Sequence, residues 1–234
     1  MARYHLTFDI DWAPDCCIAD VLTLLDDHDT KATFFVTHPC DVLKDIEAAG
    51  HRLGIHPNFQ PNSSHGTTTE EIISYLLNIV PNATAMRTHG LIQSSQLLYD
   101  ITSAFPQIDL DLSVFTYHFA HVGRFPWALG TAGCDRINFN WEDDTEFGQP
   151  DFDWTAPSLF GDINVLDFHP IHVGLNSRDG TSYQQLKADT GGQPLWSLSR
   201  AQIQEHKNPA EGAHTFLTAL LASGHTGIDL DDIR

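Results

Sequence analysis

Short apolar runs and helical patterns alternate along the first 115 residues, and this alternation limits the chain to a small set of folds. In YHLTFDID, Tyr4, Leu6 and Phe8 recur at every second position, as on the buried face of a strand. PDCCIADVLTLLDDH follows, with Ile18, Val21, Leu22 and Leu25 on one helical face. KATFFVTH, HRLGIHP, ATAMRTHG and IDLDLSVF read as further strands. CDVLKDIEAAG, TTTEEIISYLLNIV and IQSSQLLYDITSAF, which separate them, read as helices. TTTEEIISYLLNIV has the clearest boundaries: Thr67 or Thr68 can cap it, Glu70 and Glu71 suit its first turn, and Pro81 lies beyond its end. Strands joined by helices of about 10–15 residues predict right-handed β-α units and a mostly parallel sheet or barrel, an α/β fold.

Residues 120–162 break the rhythm. GRFPWALGTAG and WEDDTEFGQPDFDWTAP are rich in aromatics, glycine and proline, and predict long loops around one short strand, CDRINFNW. DINVLDFHPIHVGLN returns to strand character, and SYQQLKAD and EGAHTFLTALLASG are helical. With no repeat and no linker composition, a single domain over residues 1–234 is expected.

Composition narrows the function. Twelve basic residues against 31 acidic ones give a net charge of −19, which argues against a nucleic-acid partner, because phosphates need a positive footprint. A surface of that sign repels itself at low salt, as in a salt-rich host or simply an acidic protein of an ordinary cell. No run of 18 apolar residues exists to span a membrane, and MARYHLTFDID has the pattern of a first strand, not of a signal peptide. Cys16, Cys17, Cys40 and Cys134 have neither the density of a disulfide scaffold nor zinc-finger spacing, so reduced thiols and a cytoplasmic location are expected.

In parallel sheets and barrels, ligands meet the carboxyl ends of the strands. Asp9 and Asp11 end the first predicted strand, His56 ends HRLGIHP, Arg87 and His89 end ATAMRTHG, and His169 and His172 end VLDFHPIH. A period of two sends Asp9 and Asp11 to the same strand face, where they repel unless a cation or proton intervenes. A divalent ion on one of them and on His56 would resolve that and leave the other as a base. Both aspartates also fit the polar end of a strand, and Asp15 fits a cap for the next helix. Arg87 inside an apolar strand calls for a carboxylate partner from the first strand. His169 is placed to protonate a leaving group, whereas His89 and His172 suit second-rank or substrate-facing roles. WEDD could orient a histidine or form an exposed acidic loop. Trp127, Trp141 and Trp154 could stack on a sugar or pack in the core.

These residues resemble the motifs of the polysaccharide deacetylase (NodB-like) carbohydrate esterases, in particular a divergent branch found with surface-polysaccharide genes. The resemblance runs over residues 4–176. FDIDW matches the family's paired aspartates, with one residue inserted between them. GHRLG matches the lead-in to the metal histidine His56, MRTHG contributes the arginine Arg87 that orients the base, WEDD matches the tryptophan-and-aspartate motif loosely, and DFHPIH supplies the acid His169. The family's second metal histidine falls on Gln60, so the resemblance points to His65 in its place, or less strongly Asn58.

The resemblance implies a distorted (β/α) barrel of about seven strands. It also implies a divalent metal, usually zinc, on Asp11, His56 and His65, with Asp9 as base, Arg87 orienting it and His169 as acid. The implied substrate is an acetylated sugar or polysaccharide precursor. A catalytically inactive carbohydrate-binding barrel and a metal hydrolase of another small amide are the rival readings.

Overall fold

The computed structural model describes residues 1–157 and 159–234. Among them, ten strands run β1 (Arg3–Asp9), β2 (Ala32–Val36), β3 (Arg52–Ile55), β4 (Ala85–Met86), β5 (Leu110–Phe115), β6 (Arg124–Leu129), β7 (Ala132–Phe139), β8 (Trp141–Glu142), β9 (Ile163–Phe168) and β10 (Thr226–Gly227). The helices are α1 (Asp15–Asp27), α2 (Leu43–Ala48), α3 (Thr69–Ile79), α4 (Ser95–Ala104), α5 (Pro170–Leu175), α6 (Thr181–Asp189), α7 (Arg200–Glu205) and α8 (Ala213–Leu221). All strands join one curled sheet in the order β6-β7-β5-β4-β3-β2-β1-β9-β8, with β10 beside the start of β1. Every pairing is parallel except β6 with β7, so the architecture is α/β with a mixed sheet flanked by helices. The ten strands exceed the expected seven by three: β8 and β10, each two residues long, and β6, which lies in the segment expected as loop. None of the described helices is long and apolar enough to cross a membrane.

The period of two in β1 sorts its side chains. Tyr4, Leu6 and Phe8 pack on the helix side, with Phe34 and Phe168 stacked on Phe8, while His5, Thr7 and Asp9 face the concave side. Thr68 caps α3 through a reciprocal capping box with Glu71. Asp15 does not cap α1: it is the helix's first residue, and its Oδ2 accepts the Asp41 amide N–H. Close approach explains Gly54 in β3, where a Cβ would meet the Phe35 ring at 2.7 Å and the Ala85 carbonyl at 2.9 Å.

Two segments differ from the sequence-based expectation. GRFPWALGTAG forms an antiparallel hairpin with β7, turned by Gly130 at φ 63°. PIHVGL forms α5, because Pro170 has no amide hydrogen to extend a ladder and suits the first position of a helix. Trp141 and Trp154 are 0% and 2% exposed and pack on Phe152 and Phe216, so they belong to the core and not to a sugar platform.

Candidate active site and metal centre

The carboxyl ends of β1, β3, β4, β8 and β9 meet on one rim. Arg87 is fully buried just beyond β4, held by its N–H to the Ile55 carbonyl. Its Nε donates to the Leu112 carbonyl, Nη2 to Thr7 Oγ1 at 2.9 Å, and Nη1 to both Asp9 Oδ1 at 3.0 Å and Asp167 Oδ1. The Phe35 and Phe139 rings lie 4.7 and 4.2 Å from its Cζ. A guanidinium so far from water is tolerable only with partners of this kind. Asp9 thereby has Oδ1 committed to Arg87, while Oδ2 lies 3.5 Å from His56 Nε2.

Asp9 and Asp11 do converge, but not along a strand face. β1 ends at Asp9, and Asp11 and Trp12 take the left-handed region at φ 44° and 56°. The turn is held by the Trp12 N–H on Thr37 Oγ1 at 3.0 Å. It brings Asp11 Oδ1 to 3.2 Å from His56 Nε2 and 3.0 Å from His89 Nδ1, with the two imidazole nitrogens 3.3 Å apart. Burial opposes charge on both groups, yet the imidazoles hold Asp11 well below the usual carboxylate range, and Asp9 and Asp11 raise His56.

Asp11, His56 and His89 thus form one group able to hold a metal. Ligands bonded tetrahedrally at about 2.0–2.1 Å lie about 3.3 Å from each other, so the donor spacing fits a small divalent ion. His65, expected as the third ligand, lies outside this group. Its Nδ1 accepts the Asn58 amide N–H at 3.2 Å, which puts the ring proton on Nε2 and leaves no lone pair there for a metal. Its ring stacks on Tyr75 at 5.2 Å. Asn58 turns its own Oδ1 to the Gln60 N–H. His89, read from sequence as second-rank, is brought in by its N–H on the Pro57 carbonyl and by the turn at Gly90, φ 62°.

Across the rim, His169 Nδ1 donates to Asp143 Oδ1 at 2.7 Å, and its backbone N–H to Asp143 Oδ2 at 3.0 Å. Against the effect of burial, Asp143 holds the His169 imidazole well above its ordinary value. Nε2 points toward the metal group, 3.7 Å from Asp11 Oδ2. His172 is buried beside it with Nδ1 on Ser177 Oγ, and burial pushes it down to about 3.

Asp167 escaped the sequence reading. It is fully buried, receives the Thr7 hydroxyl at 2.7 Å as well as Arg87, and is pushed up to about 8 by burial despite the arginine. A lone acid in the apolar strand VLDF was the available signal, by the same reasoning that singled out Arg87.

The chain matches the WbmS-like polysaccharide deacetylase family over residues 6–187. Among solved structures, a candidate polysaccharide deacetylase involved in O-antigen biosynthesis, from Bordetella bronchiseptica, is 30% identical with a TM-score of 0.79, over 95% of this chain and 90% of that one. The polysaccharide deacetylase Bc1974 of Bacillus cereus is 15% identical with a TM-score of 0.48, over 99% and 94% of the two chains. A family 4 acetyl xylan esterase of Clostridium thermocellum is 14% identical with a TM-score of 0.44, over 98% and 89%. No curated protein matches. The chain belongs to the polysaccharide deacetylase (NodB-like) family.

Proposed function

We propose that this protein is a metal-dependent hydrolase that removes acetyl groups from an amino sugar or polysaccharide precursor, its single catalytic domain spanning residues 1–234 as a distorted (β/α) barrel. The observation that carries this reading is a convergence. A carboxylate held by a buried arginine and an imidazole held by a buried carboxylate flank a three-donor metal group. The connection of the Bordetella protein with O-antigen biosynthesis supports a surface-polysaccharide precursor as substrate. Four free cysteines suit a reducing compartment, and we place the reaction in the cytoplasm.

Asp11, His56 and His89 would hold the ion, and two imidazoles with one carboxylate suit zinc. When bound, it supplies Lewis acidity to the acetyl carbonyl and to the attacking water. Asp9 takes the water's proton on Oδ2, because Arg87 occupies Oδ1 and fixes the carboxylate's angle. His169 gives its Nε2 proton to the departing sugar nitrogen, while Asp143 steadies the ring through Nδ1.

Protein purified without chelator should contain one equivalent of divalent metal and release acetate from N-acetylated nucleotide sugars or oligosaccharides. Asp9→Ala and His169→Ala should each lower that rate by about 10²–10⁴-fold. Stoichiometric metal with no acetate from any acetylated sugar would sink the assignment and leave a carbohydrate-binding barrel.

A further inference from the structure

The end of β8 and the turn after it carry three consecutive acids, Glu142, Asp143 and Asp144, of which the proposed reaction uses one. Asp143 has both oxygens on His169. Glu142 and Asp144 have no hydrogen bond or ion pair from their carboxylates among the described residues, yet one oxygen of each lies within 4.8 Å of a His169 ring nitrogen and of the other. Glu142 is the register partner of Asp167 on β9, whose buried Oδ2 also has no hydrogen-bond partner. His169 is nine-tenths buried, and its Nε2 has no hydrogen bond either. Unspent acceptors are therefore gathered around the ring whose proton goes to the leaving group.

Acceptors of this kind call for a nitrogen bearing hydrogen. The amide substrate presents an N–H there, and its product presents an amine that becomes an ammonium. An ester presents only lone pairs, which face the carboxylates unfavourably. Burial, with Asp144 and Asp167 alongside, pushes the Glu142 carboxyl well above the usual carboxylate range, so its acceptor form is favoured only with a cation such as an ammonium beside it. A second metal ion is the competing occupant, distinguished by the zinc stoichiometry of the wild type and the double variant.

We propose that Glu142 and Asp144 form an amine-recognising pair that makes this site select N-acetyl over O-acetyl groups and retain the freed amino sugar. The proposal rests on the hydrolase reading, but its binding test does not. Glucosamine and glucose, at a pH where the amine is charged, are titrated into the metal-loaded protein and followed by chemical shift. Glucosamine should bind at least about tenfold tighter, and Glu142→Gln/Asp144→Asn should abolish the difference. Should the double variant not fold, Asp144→Asn, at an exposed position, should reduce the preference about threefold. The ratio of acetate release from N-acetyl and O-acetyl forms of one sugar should fall by about tenfold in the same variant.

Equal affinities in the wild type, or a preference that survives the substitutions, would overturn the proposal. So would a second equivalent of zinc bound by the wild type and lost in the double variant. Absence of acetate from both substrates would strike the hydrolase reading, and the glucosamine comparison would still decide the amine site.

Discussion

Around Arg87 each guanidinium nitrogen has an acceptor and the Phe35 and Phe139 rings lie against it, whereas around Asp11 two imidazole nitrogens and a carboxylate oxygen face one another at 3.0–3.3 Å. His56 Nδ1, behind that second cluster, is buried without a hydrogen-bond partner. The base side is balanced by the protein itself, with a positive charge supplied by its own side chain. The metal side is balanced only when something is added. One flank of the cleft should therefore be rigid and essential to folding, and the other dispensable for folding but responsive to ions.

The sharpest way to break this contrast is to remove the internal cation. Arg87→Met leaves Asp9 and Asp167 facing each other without a counter-charge, and should cost about 3–5 kcal/mol of stability, read from urea denaturation. A cost near that of an ordinary surface substitution would show that the base side is not held by charge.

Added zinc provides the next largest effect. At a hundredfold excess over its dissociation constant it should stabilise the metal-stripped wild type by about 2.7 kcal/mol, seen as a rise in Tm. His89→Ala should lose most of that rise and His65→Ala should keep it. The reverse pattern would restore His65 as the ligand.

A smaller effect tests a third kind of balance at the far end of β1. His5 donates from Nδ1 to the Ile228 carbonyl at 2.9 Å, and its Nε2 lies 2.9 Å from Thr33 Oγ1, a fully satisfied neutral ring. Burial lowers its pKa from the ordinary 6.5 to about 4. The unfolded chain then takes up the proton more readily than the folded one, so stability falls as pH drops below 6.5 and levels off below 4. At pH 5 this amounts to about 2 kcal/mol relative to neutral pH. His5→Asn should be less acid-sensitive by that amount, and equal acid sensitivity of the two proteins would refute the assignment.

The same contrast separates what could be read in the sequence from what could not. Asp9, Asp11, His56, Arg87 and His169 are all brought to one rim, because a parallel sheet gathers the carboxyl ends of its strands on one side, Asp11 by way of the left-handed turn beyond β1. His89 was harder, since β4 is only two residues long and the histidine's position depends on a left-handed turn at Gly90. Asp167 was hidden by its apolar neighbours, although its charge was itself the signal. The β6 hairpin was missed because Pro126 and the flanking glycines resemble loop, and an edge strand tolerates them. His65 was favoured because a loop histidine can reach far. In the structure its Nδ1 instead accepts a single backbone amide, which no spacing rule contains.

The place of β1 also bears on how the chain is made. It pairs early with β2, but its other long partner is β9, whose register begins at Ile163 opposite Arg3, 160 residues downstream. At about 5–20 residues per second, the ribosome leaves that hydrogen-bonding edge open for roughly 8–30 s. For that interval the strand bearing Asp9 is a sticky half-sheet, open to any extended segment nearby. Yield in a host should therefore depend on holdase chaperones more than the finished protein's stability would suggest.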